Sequence, residues 1–546
     1  MKRVLLFLFL FSCIKNTYAQ SVDNNAVSTG RISGAIEAQG NFFVRDTAIG
    51  AFNTPQYDNQ KFGAQSWLNL NYSNWGFDMG LRFDLFNNSN LLNPTGSYTA
   101  QGIGNWYIKK KVNKFDFAAG YLYDQIGSGI IFRSYEARPL AIDNALYGVS
   151  AAYHLNKDWK VKVFTGKQKQ QFDSYGAVIK GASTDAFFAF GDSTKQWTIA
   201  PGFGVVGRTF DKETVNQIVG AISTYTVADS IDAQYNTYSF SAYNTLSAGP
   251  FSWYVEGAYK SKDVFFDPFA TRNLADGKTA LGKLQNKSGS IIYSSLAYAG
   301  HGLGLTLEGK RTENFTFRTN PFVTLNRGIL NFLPPMSKQN TYRLTARYNP
   351  ATQELGEQAI QAEMRYKIDK NWGVFVNFSD IKTLNKKQLY QEIFTELTYK
   401  EKKYSIIGGV QVQRYNQEIY ETKPNVAMVS TVTPYIEVLY KFTRKKALRC
   451  EVQYMDTKQD YGSWVFALAE YSMAPHWVVT ASDMYNIRPK KTSDLHYPTL
   501  SLAYTEGSNR VSMSYVKQVE GVVCSGGICR LEPAFSGARL TLNSVF

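Results

Sequence analysis

The stretch Arg539-Leu540-Thr541-Leu542-Asn543-Ser544-Val545-Phe546 decides the fold. Leu540, Leu542 and Phe546 share one face of an extended chain, while Arg539, Thr541 and Asn543 take the other. A strand inside a soluble core does not set arginine and asparagine against so clean an apolar face. A strand between lipid and water does. The same period of two recurs upstream. In Gly76–Phe86, Phe77, Met79, Leu81, Phe83 and Leu85 oppose Asp78, Gly80, Arg82 and Asp84. In Ala359–Ile368, Ile360, Ala362, Met364, Tyr366 and Ile368 oppose Gln361, Glu363, Arg365 and Lys367. In Leu448–Tyr454, Leu448, Cys450, Val452 and Tyr454 oppose Arg449, Glu451 and Gln453. A helix would need a period of 3.6. The expected fold class is all-β, a transmembrane antiparallel β-barrel formed by residues 20–546.

Short and long connections alternate between the strands. Asn74-Trp75, Asp158-Trp159, Asn371-Trp372 and His476-Trp477 repeat one theme, a polar turn residue followed by tryptophan. Trp75, Trp159, Trp372 and Trp477 are read as an interfacial aromatic belt. Longer polar segments fall at 45–64, 87–100, 125–143, 169–196, 263–288, 314–340, 415–432 and 519–534. The alternation matches periplasmic turns and extracellular loops. It yields about 25 crossings, whereas single-chain bacterial barrels have even counts. We therefore expect about 26 strands, with 24 as the alternative, and place the parity fault near 314–340. Strand signals start near Arg31, so no plug or periplasmic domain is expected. Any obstruction of so wide a lumen must come from the chain's own loops or from another protein.

Residues 1–19 read as a secretory signal: Lys2 and Arg3, the apolar run Val4–Phe11, and a cleavage site at Thr17-Tyr18-Ala19. A competing lipoprotein box at Leu10-Phe11-Ser12-Cys13 would acylate Cys13, but Phe11 fits it poorly and the Ala19 site lies downstream. No apolar run approaches the ~20 residues of a membrane helix. The mean hydropathy of −0.28 is no objection, because alternating faces cancel. A composition of 36 Tyr, 36 Phe and 9 Trp against 16 Pro favours strands and aromatic girdles. The net charge of +15 is scattered, with no basic patch interleaved with aromatics, so nucleic acid is not an expected partner. Anionic headgroups or anionic solutes suit it better.

Few residues suggest chemistry. His154, His301 and His476 sit at short turns, and only His496 lies near the outer rim, where a lipid hydrolase would need it. No Gly-x-Ser-x-Gly elbow accompanies them, and no two histidines share zinc-ligand spacing. No catalytic, cofactor-binding or metal-binding residue is assigned. Cys450 falls on the lipid face. Cys524 and Cys529 are read as a disulfide pinning the last long loop, with reduced or metal-bound thiols as the alternative. The loop Asp124–Arg138 is apolar and aromatic yet carries Arg133, Glu136 and Arg138. It either folds inward and constricts the pore or extends a strand above the membrane. The inner face of the carboxy-terminal half mixes Glu363, Arg365, Lys367, Glu392, Glu396, Glu437, Lys441, Arg449 and Glu451. A dedicated ion selector shows rings of one sign. Mixed charge implies ionic networks in the wall or a polar surface for an internal plug.

Val523-Cys524-Ser525-Gly526-Gly527-Ile528-Cys529-Arg530, Pro533, the terminal Phe546 and the stretch Asp124–Asn144 resemble a Bacteroidota family of outer-membrane barrels classed as a domain of unknown function. The resemblance implies a barrel in the cell envelope and supplies no catalytic residues. The leading expectation is a loop-restricted channel for polar solutes. The alternatives are a non-enzymatic scaffold of an envelope or secretion assembly and, third, an outer-membrane lipid hydrolase using His496. Expected partners are outer-membrane lipid, the barrel-assembly machinery reading Phe546, and other envelope proteins.

Overall fold

The computed structural model describes residues 30–94, 96–192, 196–487 and 495–546, without the side chains of 522–525 and Cys529. The proposed signal 1–19 and Cys13 lie outside the described residues. From Arg31 onward, successive strands pair antiparallel with their chain neighbours. The last strand, Phe535–Val545, pairs back onto the first, Arg31–Phe43, with Leu542 opposite Ala38. That pairing closes the sheet and removes both of its edges. Phe188–Phe190 merely continues Asp173–Ala186 beyond Phe187, since both pair with Trp197–Thr209. The barrel therefore has 24 strands. The expectation of 26 is corrected to its alternative, because 314–340 hides no crossing: Leu303–Glu313 pairs directly with Gly356–Lys367.

The alternation of the sequence becomes two faces. Outward stand Leu81, Phe83, Val163, Leu307, Ile360, Val452, Leu500 and Met513, all exposed, and Cys450 with them. At about 25 cal/mol per Å² of apolar surface, a girdle of such side chains around a whole barrel is far too costly to leave in water. Inward point Arg82, Asp84, Glu256, Glu392, Gln411 and Gln453, all buried. Among the described residues no helix is long and apolar enough to cross a membrane, a finding that does not bear on strands.

One end carries tight turns, such as Asn74–Gly76, where Trp75 takes a φ of 52° and Gly76 of 73°. The other end carries long connections. Two segments expected as loops are largely strand. Within 169–196, Asp173–Ala186 follows a tight turn in which Gln171 has a φ of 58°. Within 263–288, the strands Phe251–Asn273 and Thr279–Gly300 continue as a tall hairpin above the rim. The helix Lys212–Ile222 leans on it through Val215, Ile218 and Ile222, which share a buried cluster with Val264 and Leu284.

The expected freedom from a plug also requires correction. Residues 314–355, between two paired strands, fold into the lumen without forming a strand. Phe315, Phe317, Leu330, Leu333, Met336, Leu344 and Tyr348 build an apolar core there with Ile126, Ile130, Ile131 and Phe132. The barrel thus encloses a small interior like that of a soluble protein, made from its own loops.

Candidate functional site

An irregular backbone inside a barrel leaves peptide groups that no sheet ladder satisfies, and each must find another partner. In 314–355 the partners are polar side chains of the wall. Gln168 Nε2 donates to Ile329 O at 2.5 Å, Arg208 Nη1 to Arg318 O at 2.8 Å and Lys260 Nζ to Thr316 O at 2.6 Å. Across the lumen, Gln411 Nε2 donates to Thr345 O and Gln413 Nε2 to Tyr348 O, both at 3.1 Å. Leu344 N donates to Gln453 Oε1 at 2.7 Å, and Asn340 Nδ2 to Glu392 Oε1 at 3.0 Å. Lys310 reaches Pro334 O while pairing with Glu357 at 2.7 Å. Arg208 and Lys260 share one carboxylate, Asp263, at 2.6 and 2.9 Å, all three side chains at most 2% exposed. The excess positive charge of that triad is met by the carbonyls of the inserted segment.

The shorter segment 123–145 lies against the first. Two small ladders shape it, Asp124-Gln125 on Arg133-Ser134 and Glu136-Ala137 on Ile142-Asp143. Arg133 N donates to Leu330 O at 2.8 Å and Phe332 N to Gly129 O at 2.9 Å, so the two segments exchange backbone bonds. Asn144 Nδ2 bridges to Ile329 O at 3.1 Å. Wall charges hold the rest. Arg82 binds Asp84 at 2.6 Å, Glu136 at 2.8 Å and Asp143 at 2.7 Å, and Lys169 adds a second bond to Asp143. Burial alone would raise the Asp143 pKa, but Lys169 and Arg82 outweigh it and hold the carboxyl below its ordinary value. The candidate constriction residues thus all point inward. Arg133 stacks over Tyr135 and Phe332, at 4.5 and 4.2 Å from the ring centres, Glu136 bonds Arg82, and Arg138 pairs with Glu136 at 2.8 Å and with Glu37. Of the two placements open for this loop, the inward one is found.

The mixed charge of the carboxy-terminal wall does both of the things expected of it. Arg449 joins Glu437 and Glu451, each at 3.1 Å. Glu392 meets the inserted segment, where Lys338 lies over Phe394 at 3.9 Å. Enclosure lowers the Lys338 pKa, partly offset by Glu392.

The inserted segments do not fill the lumen evenly. Asn377, Ser482, Ser501 and Ser514 all face inward. Asn377, Ser482 and Ser514 stand five residues into their strands from the short-turn end. Asn377 is fully buried, whereas Ser482, Ser501 and Ser514 keep solvent contact. Thr499, Ser512, Thr541, Gln39 and Asn69 continue this wetted strip across Trp477–Asn486, Leu495–Glu506, Asn509–Gln518, Phe535–Val545, Arg31–Phe43 and Phe62–Asn74.

Other candidates lie elsewhere. Trp75, Trp159, Trp372 and Trp477 are exposed at the short-turn end. Phe546 exchanges backbone bonds with Gly34, 2.8 and 2.9 Å long, at the barrel seam. His496 bonds Asp483 at 2.6 Å and stacks on Tyr485. His154 bonds Asp116 at 2.7 Å, and His476 lies 3.0 Å from Glu506. Among the described residues, no three His, Cys, Asp or Glu side chains gather as a metal site. The ladder Gly521–Ser525 on Ile528–Glu532 sets the backbones of Cys524 and Cys529 opposite each other, while their side chains lie outside the described residues.

Strand number, closure and a polar, partly filled interior define a large closed β-barrel. The chain belongs to the Family of unknown function (DUF6029), whose model matches residues 1–546. No curated protein matches it. Similar solved structures include an E. coli P pilus tip assembly intermediate, PapC-PapD-PapK-PapG, at 8% identity and a TM-score of 0.47, covering 97% of this chain and 63% of that one. The ferric-catecholate import receptor Fiu of E. coli K12 is similar at 9% identity and 0.39, covering 94% and 81%. Acinetobacter baumannii OccAB4 is similar at 10% and 0.32, covering 72% and 100%.

Proposed function

We propose that this barrel lies in the outer membrane of a Bacteroidota cell, short turns towards the periplasm, and passes a polar solute along the wetted strip of its lumen. Segments 123–145 and 314–355 restrict the passage. The observation that carries this reading is the uneven filling of the lumen: serine, threonine and amide side chains on one arc keep water contact while those opposite are sealed. Outer-membrane lipid surrounds the apolar girdle, the exposed tryptophans mark its periplasmic rim, and the assembly machinery reads Phe546. The protein is non-enzymatic on this reading.

The test is single-channel conductance of the purified barrel in a planar bilayer. Because Glu313 and Gly356 are paired, a tight turn can replace 314–355 without breaking the wall. The intact barrel should conduct modestly, and both this replacement and removal of 125–143 should raise the conductance, the first by more. An unchanged conductance would remove the segment concerned as a constriction. The density of bonds tying 314–355 to the wall favours a second reading, a permanently plugged scaffold for an envelope assembly. A barrel that is folded by circular dichroism, electrically silent, and recovered with envelope partners in mild detergent would establish it.

A further inference from the structure

The wetted strip is walled at its long-loop end by an unusual set of arginines. Arg343 and Arg347 lie on one helical turn of the inserted segment, in which Ala346 N donates to Tyr342 O at 3.0 Å. Across from them the hairpin Gly521–Glu532 leans onto the same segment, with Gly526 N donating to Gln339 Oε1 and Thr352 N to Gly527 O, each at 2.9 Å. That hairpin brings Arg530, and the strand after it brings Arg539. Glu532 lies beside Arg530 on that hairpin, and Arg539 follows on the strand that returns into the barrel.

The charges do not balance. Arg530 pairs with Glu532 at 3.1 Å, and Arg347 reaches Asp460 only at 3.9 Å, a carboxylate also taken by Tyr348 at 2.9 Å. Among the described residues neither Arg343 nor Arg539 has an ion-pair partner. Arg539 donates to Asn41 at 3.1 Å and lies over Phe535, while Arg343 is exposed to the lumen space. The Nε atoms of Arg347 and Arg530 are buried with no acceptor. Among these four guanidinium groups the ion pairs are Arg530 with Glu532 and Arg347 with Asp460, and two buried donors go unmet. Such donors destabilise the fold unless something accepts from them. The Arg343 guanidinium stays charged at neutral pH.

We propose that Arg343, Arg347, Arg530 and Arg539 form a binding station for an oxyanion-bearing solute, one carrying a carboxylate, phosphate or sulfate group, at the outer mouth of the conduit. Guanidinium groups suit this chemistry because their planar donors match such oxygens two at a time. The station faces the lumen, so its ligand is a soluble molecule rather than a lipid headgroup. The assignment of the conduit rests on the channel reading above, but the station does not.

Two measurements on the full barrel separate the two claims, with inorganic triphosphate as the probe. Calorimetry in detergent should show triphosphate binding, weakened about tenfold by Arg343→Gln and again by Arg539→Gln, since each removes one charge-assisted contact. Arg365→Gln, at a lumen site 71% exposed and paired with Glu363, should leave it unchanged. In bilayers the same probe should block current, and the zero-current potential in a KCl gradient should show anion preference that both Arg343→Gln and Arg539→Gln reduce. Binding without current would overturn the channel and keep the station. Current without binding, or binding indifferent to Arg343 and Arg539, would overturn the station and keep the channel.

Discussion

On the arc from Phe251 to Met455, inward-facing polar side chains such as Lys260, Thr312, Asn377, Glu392, Gln411 and Gln453 are sealed from water and mostly bonded to one inserted segment. On the arc from Trp477 through the seam to Asn74, similar residue types at similar depth keep solvent contact. Residue type alone therefore does not distinguish plug support from conduit lining. What distinguishes them is whether an acceptor backbone lies opposite. The filled arc carries long side chains with amide or charged ends, able to cross a gap to a carbonyl. On the wetted arc Ser482, Ser501 and Ser514 are too short to bridge such a gap, and the longer Gln39 bonds Asn41 on its own strand instead.

The comparison can be broken first at the buried triad. Asp263→Asn strips the charge that offsets Arg208 and Lys260, and removing one partner of a buried ion pair costs about 3–5 kcal/mol. The variant should unfold at markedly lower temperature in heat-modifiability gels and lose the seating of 314–355, read as raised conductance. A smaller contrast follows within the two arcs. Gln411→Ala leaves Thr345 O without its donor and should cost about 1–3 kcal/mol, while Ser501→Ala should fall within about 0.5 kcal/mol of the parent. Equal costs would erase the distinction between the arcs.

Acid sharpens the comparison from the other side. The Asp143 carboxyl lies below its ordinary pKa in the folded barrel, so its bonds to Arg82 and Lys169 stabilise the short segment at any pH above the unfolded value of about 4. That contribution is lost only as pH falls further, through the folded value. Conductance should hold level from neutral pH to about 4 and rise below it, and Asp143→Asn should conduct more already at neutral pH. The smallest expected effect concerns the hairpin beside the arginines. We propose that Cys524 and Cys529, opposite in the ladder, are joined, a separation that neighbouring strands supply. Intact mass should be two hydrogens lower than after reduction, and two free thiols in freshly exported protein would sink the bond.

The wall was legible because lipid imposes a period of two that nothing else in the sequence mimics, as at Phe77 to Leu85. It was illegible where the inner face is not polar. In Asp173–Ala186 the inward residues Ala177 and Ile179 pack against the buried interior, so the alternation that marks a strand disappears. The inserted segment left no periodic trace. Its partners, Gln168, Arg208, Lys260 and Gln411, are scattered over the chain and share no spacing that would mark them. The inward turn of Asp124–Arg138 was hinted at by its apolar run. The arginine station was not, since Arg343 and Arg539 meet only through the fold.

The seam of the barrel, where Phe535–Val545 meets Arg31–Phe43, lies many strands away from Leu303–Glu313 and Gly356–Lys367, which carry the long inserted segment. A 42-residue insert (314–355) cannot easily be threaded into a finished cylinder. Here the curling sheet can gather most of its contents along the middle strands while still open like a scroll, and shut afterwards along an edge where Arg138 meets Glu37. The strand order thus allows an assembly in which the cargo is gathered first and the latch closes last.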